Sequence, residues 1–470
     1  MVDSLTGLTL IQARAEIGAG RVSPLELTEA YLARIEALNS KTNAYLQVAV
    51  ESALSQARAA TEAIALRRPL GVLHGIPMAL KDLIDVRGMR TTAGSVLLKD
   101  NIASQDAFVT QKIRQAGAII LGKLNLHEWA LGVTTKNPHF GPCRNPWDLG
   151  RIPGGSSGGS GAALAARMCL GSIGTDTGGS IRIPASLCGI VGLKPTYGRV
   201  SLSGIVPLSW SQDHAGPMAR TVEDAALLLT VIAGYDANDP SSVKAGDEDF
   251  ASTLRPVRHP LKLKVGCPDN SMLTGLDPET GAAVQAAMTK LASLGCELRE
   301  VSLEGYEVAI ESSAKMLLAE AAAFHLERIR DHPNEIGVDV LERLRRGMEV
   351  AGVDYALARR TQIQWQRKMA RLFETVDLMV LPATPLPATP ISDSDSVPMA
   401  TSVLTRFMRL FNMTGVPALV LPCGFTALGL PVGLQIVGPS WGETKVLQLA
   451  HLYEGATKWH TRQPVLRESK

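Results

Sequence analysis

The sequence predicts a layered α/β protein built on a large, mixed or largely parallel β-sheet. Two observations predict it. Short apolar runs of strand length alternate with segments of helical length along most of the chain. Hydrophobic types make up 46% of the 470 residues, enough for a large core, and no long polar spacer divides them. One unit over residues 1–470 is therefore expected.

The elements follow in order. Ser23-Pro24-Leu25-Glu26 opens a helix, because serine caps, proline fits the first turn and Glu26 can return a hydrogen bond to the cap. Leu25, Leu32 and Ile35 share one face of that helix with Thr28. A second helix is expected over Val48–Leu66, followed by the strand-like run Gly71–Leu80 that delivers Lys81. Gln105–Ala116 reads as a helix and Ala118–Gly122 as a buried strand. The alternation continues through a helix at Ala162–Arg167, a strand at Cys169–Ile173, a helix at Val222–Ala233 and a strand at Lys262–Cys267. A helix at Pro278–Leu294 and a strand at Glu297–Ser302 complete it. Residues 308–374 are helix-rich with a break near Asp331–Gly337, and Leu378–Leu381 is a short strand. Pro382–Pro398, rich in Pro, Ser, Asp and Thr, reads as an exposed loop that could act as a lid. Ala418–Gly438 carries no charge, but Pro422, Gly424, Gly429, Pro431 and Gly433 break it into two buried strands joined by a turn, not a membrane helix.

Composition narrows the function. Basic residues number 47 against 45 acidic ones, without the basic excess of a nucleic-acid binder. The opening residues lack a basic segment followed by an apolar stretch, so no secretory signal is expected. Cys143, Cys169, Cys188, Cys267, Cys296 and Cys423 have no close metal-ligand spacing, and the histidines form no HExxH-type cluster. Reduced core thiols in a cytoplasmic protein are expected, with no metal and no cofactor.

Two glycine-rich stretches stand out: Pro153-Gly-Gly-Ser-Ser-Gly-Gly-Ser-Gly161 and Gly174-Thr-Asp-Thr-Gly-Gly-Ser-Ile-Arg-Ile-Pro184. Such glycine makes sense where backbone amides approach a ligand or φ is positive. Three explanations compete. A phosphate loop would need a following Lys-Ser or Lys-Thr, which neither stretch has. Gly154-Gly-Ser-Ser-Gly158 satisfies the G-x-S-x-G elbow, with His214 beside Asp213 as base, yet an extended segment rather than a strand precedes it. The third explanation is acyl transfer. Thr177-Gly178-Gly179-Ser180 offers successive amide N–H groups around one hydroxyl. Lys81 ends an apolar run, and a desolvated, neutral lysine can accept a proton, with Ser156 as relay. A surface lysine, or a partner of Asp82 or Asp85, is the competing reading of Lys81.

These stretches resemble the amidase signature family, which includes fatty acid amide hydrolase, the A subunit of glutamyl-tRNA amidotransferase and many bacterial amidases. The resemblance rests on Gly154–Ser160, Gly174–Arg182 and the lysine element Gly75-Ile-Pro-Met-Ala-Leu-Lys-Asp82. Ser156 follows Lys81 by 75 residues, and Ser180 follows Ser156 by 24, which fits the family's triad. The resemblance covers Leu25–Phe250 strongly and the remainder more loosely. It implies a large mixed sheet flanked by helices on both faces, with a catalytic core at about 70–250 and a helix-rich insertion at about 308–374. It also implies roles. Ser180 is the nucleophile, Ser156 a bridge in a cis peptide arrangement and Lys81 the base. Amides of Thr177, Gly178, Gly179 and Ser180 form the oxyanion hole, and Ala130 meets substrate through its backbone. Ser157, Asp176 and Arg182 orient the loops. The partner implied is a small-molecule amide or carbamate, with no nucleic acid, no membrane and room for a homodimer.

Two members compete. The amidotransferase A subunit makes ammonia from glutamine beside its B and C subunits, and Arg220-Thr-Val-Glu-Asp224 is compatible with it. Aligning Gly415-Val-Pro-Ala418 with that subunit's Gly-Leu-Pro-Ala puts Thr405 where it has an aspartate for the glutamine amino group. Phe407, Met408, Leu410, Phe411 and Met413 suggest an apolar pocket wall, with core packing as the plainer explanation. The favoured expectation is a stand-alone hydrolase of uncharged aryl or alkyl amides, with carbamates and esters chemically adjacent. A silent binding module on the same fold is the third reading; the filled triad positions argue against it.

Overall fold

A computed structural model describes residues 2–246, 248–254, 262–269, 272–392 and 397–466. Thirteen strands run in chain order: β1 Tyr45–Val48, β2 Pro77–Lys81, β3 Ile119–Leu124, β4 Lys136–Asn137, β5 Gly141–Pro142, β6 Gly171–Thr175 and β7 Val191–Lys194. There follow β8 Ala215–Ala219, β9 Lys264–Pro268, β10 Glu297–Val301, β11 Leu378–Pro382, β12 Ala418–Phe425 and β13 Pro431–Val437. Eleven form one sheet, ordered β1-β3-β2-β6-β8-β7-β12-β13-β11-β9-β10. The sheet is mixed: β2 pairs in parallel with β3 and β6, and β9 with β10 and β11, whereas β6, β8, β7, β12 and β13 pair antiparallel. Helices flank it, as expected. No helix among the described residues is long and apolar enough to cross a membrane.

Ser23 caps the helix Pro24–Thr42 through a complete capping box with Glu26. The buried face differs from the expectation. Leu27, Thr28, Tyr31, Ile35 and Leu38 point inward, whereas Leu25 and Leu32 are partly covered. The next helix starts at Val50, because Tyr45–Val48 forms an edge strand against β3. The helix expected from Ala162 starts at Gly158 instead, and ends at Ala165. Packing decides this against glycine's poor propensity: a Cβ on Gly158 would stand 2.2 Å from Thr135 Oγ1, and one on Gly159 2.5 Å from the Asn125 carbonyl oxygen. The run Ala418–Gly438 is the expected pair, β12 and β13 joined by a turn.

The helix-rich segment forms helices at Tyr306–Phe324, Leu326–Asp331, Val338–Met348 and Gly352–Thr375, with the break near Asp331–Gly337. Part of the stretch Pro382–Pro398 lies outside the described residues. Its first part is not an exposed loop: Ala383, Thr384 and Ala388 are buried, and the Thr389 carbonyl accepts from Ile152 N–H at 3.0 Å.

Candidate active site

Lys81 ends β2 and is fully buried. Its Nζ donates to Ser156 Oγ and to Thr175 Oγ1, each at 2.7 Å. Burial pulls its pKa down to about 7, against the opposing influence of the Asp176 and Asp213 carboxylates. The reading of Lys81 as a surface lysine or a partner of Asp82 or Asp85 is overturned. Asp82 pairs with the buried Lys123 at 2.8 Å, and Asp85 is not among the groups acting on Lys81.

Ser156 sits before the helix Gly158–Ala165, and the Gly155–Ser156 peptide is cis. Ser157 ties the two glycine-rich loops together. Its N–H donates to the Ser180 carbonyl at 3.2 Å, and its Oγ donates to the Thr175 carbonyl at 3.2 Å. The first stretch is glycine-rich for close approach of protein to protein, not to a ligand: a Cβ on Gly155 would stand 2.8 Å from the Val133 carbonyl carbon.

The second loop leaves β6 at Thr175 and ends in the helix Arg182–Cys188. The buried Asp176 carboxylate organises it, accepting from Gly179 N–H at 2.8 Å, Ile181 N–H at 3.1 Å, and Arg182 Nε and Nη2 at 2.9 Å. Burial alone would raise its pKa, but the Arg182 guanidinium overrides burial and holds the carboxyl well below the usual range. Arg182 in turn donates to Gln435 Oε1 at 2.7 Å and Asn412 Oδ1 at 2.6 Å.

One expected donor is corrected. Gly179 N–H is spent on Asp176, so it does not face the cavity; no hydrogen bond within the described residues takes the amides of Thr177, Gly178 and Ser180. Gly179 has φ +117°, and a Cβ there would stand 2.7 Å from Met408 Cγ. Gly179→Ala is therefore expected to lower stability by about 1–3 kcal/mol and to lower kcat with it. Denaturant titration and steady-state kinetics check this; a variant equal to wild type in both would show that the loop tolerates the side chain.

Thr177 Oγ1 donates to Asp213 Oδ1 at 2.6 Å. Burial raises the Asp213 pKa to about 6 despite hydrogen bonds from Thr177, Leu208 and Ser209. The elbow reading fails here. His214 Nδ1 lies 2.7 Å from the Gln212 carbonyl and 3.2 Å from that of Asp176, and burial drives its pKa far down. That is a packing histidine, and Asp213 serves Thr177 instead.

A cavity of about 510 Å³ opens on Thr177, Gly178 and Ser180. Among the described residues no hydrogen bond engages the Ser180 hydroxyl, which lines this space. The expected wire is thus formed between Lys81 and Ser156, while its last link, Ser156 to Ser180, is not made as a hydrogen bond here. Ala130, at φ 57°, forms part of the wall with Leu131, Val133 and Leu208. Tyr306, Ile310, Thr405, Arg343 and Arg409 also line it. The apolar run after Thr405 does not supply that wall: Phe407, Leu410, Phe411 and Met413 pack into a core with Trp365 and Met369, and Met408 packs behind Gly179.

The model of the family described as Amidase matches residues 26–447. The chain belongs to the amidase family. It is accordingly an enzyme of amide C–N bond hydrolysis. It is 38% identical to the A subunit of the glutamyl-tRNA(Gln) amidotransferase of Geobacter sp. (strain M21), over 98% of this chain and 99% of that one. Among solved structures, a chain from a vestigial complex tied to the origins of an s-triazine catabolic enzyme superposes with TM-score 0.90 at 33% identity, covering 96% of this chain and 99% of its own. A 6-aminohexanoate cyclic dimer hydrolase with bound substrate gives 0.89 at 31% identity, covering 98% and 99%.

Within this amidase, sequence reasoning missed Thr175, Asn412 and Gln435. A signal existed for the last two: each is a lone carboxamide inside an apolar run, and a buried carboxamide needs partners. Thr175 carried no signal, since its role depends on where β6 ends beside β2.

Proposed function

We propose that residues 1–470 form one catalytic unit, a serine amidohydrolase of small amides. Ser180 attacks the carbonyl carbon. Its proton passes to Ser156, whose own proton passes to neutral Lys81. The amides of Thr177, Gly178 and Ser180 receive the developing oxyanion. As the C–N bond breaks, Lys81 returns the proton through Ser156 to the leaving nitrogen, and water then releases the acyl group by the same route. Asp176, Arg182 and Ser157 hold the loop in shape, and Ala130 offers backbone at the wall. The single observation that carries this reading is the buried lysine, with pKa about 7, in a 2.7 Å contact with Ser156 on a loop bonded to that of Ser180. With the amine neutral, that contact runs from Ser156 hydroxyl to nitrogen, the direction a base requires. Carbamates and esters share the acyl-enzyme route. Free cysteines, all buried but the partly covered Cys267, suit the reducing cytoplasm.

A panel of nitroanilide amides, aryl carbamates and glutamine, each with and without a serine-directed phosphonate, tests the proposal. Amide or carbamate turnover blocked by a phosphonate on Ser180 is expected. No turnover and no adduct would reject it in favour of a binding module. The identity to amidotransferase A subunits supports a second reading, glutamine hydrolysis inside an assembly; glutamine as sole substrate would select it.

The pH profile follows from Lys81. Below about pH 7 the amine is protonated and cannot accept, so kcat/KM should fall about tenfold per unit on the acid side. Above that value it should level off. Asp213→Asn removes a charge that raises the Lys81 pKa, so the midpoint should move down. A flat wild-type profile from pH 5 to 9 would argue that Lys81 is structural.

A further inference from the structure

A second cavity, of about 460 Å³, meets the first at the nucleophile loop. Ala130, Thr177 and Leu208 line both. The remaining walls divide the chemistry. Ser180 lines the first cavity and not the second, whereas Thr175 lines the second and not the first. Thr175 Oγ1 takes a hydrogen bond from Lys81 Nζ at 2.7 Å, so the second cavity adjoins the end of the proton route where the base sits. An amide laid across the shared residues keeps its carbonyl carbon at Ser180 and turns its nitrogen to the side from which the proton returns. Its acyl half then lies in the first cavity and its amine half in the second.

Size decides what that amine half is. Ammonia, the product of a primary amide, needs about the room of a water molecule, roughly 30 Å³. The second cavity is ~15 times larger, within the range of chambers that hold whole ligands. Its wall is firm, because the segment that forms it is pinned to the chain beyond β2. Val206 N–H donates to the Leu83 carbonyl at 3.0 Å, Asp85 N–H donates to the Gly204 carbonyl at 2.9 Å, and Ile205 bridges Ile84. Leu83, Ile205, Val206 and Pro207 give the cavity an apolar side, and the half-exposed Trp210 also lines it. Among the described residues its charged lining is Asp213 and Asp239, with no lysine or arginine. Neighbours occupy both carboxylates. Asp213 accepts from the Thr177 hydroxyl and the Leu208 and Ser209 amides, and Asp239 from the Leu202 and Ser241 amides and the Ser241 hydroxyl. Such a chamber rewards a ring or an alkyl chain and repels a third carboxylate.

We propose that this second cavity seats the amine half of the substrate, so that N-substituted amides with an apolar, uncharged amine half are preferred over primary amides. This rests on the amide-hydrolase reading above and names the half of the substrate on which selection acts. Ser180 Oγ bonds to the carbonyl carbon, and the C–N bond breaks with its electron pair left on nitrogen. The proton returned through Ser156 completes the free amine inside the second cavity, and water then replaces Ser180 on the acyl carbon.

The test compares kcat/KM for N-benzylbutyramide with that for butyramide. Benzylamine and ammonia are nearly equal in basicity, so the comparison reports the cavity and not the leaving group. Wild type should favour the benzyl amide by at least about tenfold, the worth of burying a small ring. Val206→Trp fills the cavity and should cut that preference about 10- to 100-fold. Ser203→Trp, at a partly exposed position lining the same cavity, should act alike and serves if the first variant does not fold. A carboxylate placed para on the benzyl group should lower the wild-type kcat/KM at least about tenfold. No preference for the benzyl amide, an unchanged preference in a folded filler variant, or equal rates with and without the carboxylate would overturn the amine seat. A second measurement needs no turnover. N-benzylbutyramide should raise the melting temperature of Ser180→Ala more than butyramide does, and should lose that advantage once Val206→Trp or Ser203→Trp is added; an equal advantage in both backgrounds would also overturn the seat. If no amide turns over and no phosphonate adduct forms on Ser180, the hydrolase reading falls, and the melting shift still decides the seat.

Discussion

Ser180→Ala should abolish turnover of every amide and ester, with kcat falling about 10⁴- to 10⁶-fold. Two features support so large a loss with the fold preserved. The Ser180 hydroxyl lines the cavity and makes no hydrogen bond within the described residues, so its removal orphans no partner. The loop conformation rests on Asp176, not on that hydroxyl. The variant should melt within about 0.5 kcal/mol of wild type, the ordinary range for substitutions that break no network. It should give no acyl-enzyme mass with a slow substrate and no phosphonate adduct. Activity within tenfold of wild type would move the nucleophile elsewhere, with Ser156 the next to test.

Arg182→Met is expected to have the largest effect on stability, a loss of about 3–5 kcal/mol. The substitution strands the buried Asp176 carboxylate and removes donors from Asn412, Gln435 and the Met408 carbonyl. Activity should fall with it, because the same carboxylate shapes the nucleophile loop. The pH dependence gives a separate readout. In wild type the Asp176 pKa is depressed, so its stabilisation is present above the unfolded carboxylate pKa of about 4 and is lost as pH falls. Without Arg182, burial raises that pKa and the carboxyl folds neutral at mildly acid pH. The stability gap between wild type and variant should therefore shrink as pH is lowered from 7 towards 4. Denaturant midpoints across that range check it; a constant gap would mean that the cost comes from lost packing and not from the stranded charge.

What could be read in advance, and what could not, divides along physical lines. The helix start at Ser23 and the strand ending in Lys81 are written in neighbouring residues, and both stand in the structure. Lys81, Ser156 and Ser180 were reachable because their residue types and spacing carry chemistry. That Asn412 and Gln435 support Arg182 was not, since a lone carboxamide in an apolar run signals only that it needs partners, and these lie 230 and 253 residues away. Strand β1 was missed, with only its last residue, Val48, read into the following helix, because four residues beside a helical pattern carry little periodicity, and its identity comes from pairing with β3. The short strands β7 and β8 were missed for the same reason. The apolar run after Thr405 was open to two readings, and core packing with Trp365 and Met369 prevailed.

The order of strands also has a consequence for biosynthesis. Strands β12 and β13 are made last yet lie between β7 and β11, so the sheet stays in two pieces, each with a raw edge, until residues 418–437 leave the ribosome. A nascent chain arrested before that point holds Lys81, Ser156 and Ser180 but lacks the Gln435 that steadies Arg182. Hydrolysis should thus begin only once these two strands have emerged and paired, and fragments stopping near residue 415 should aggregate instead of working.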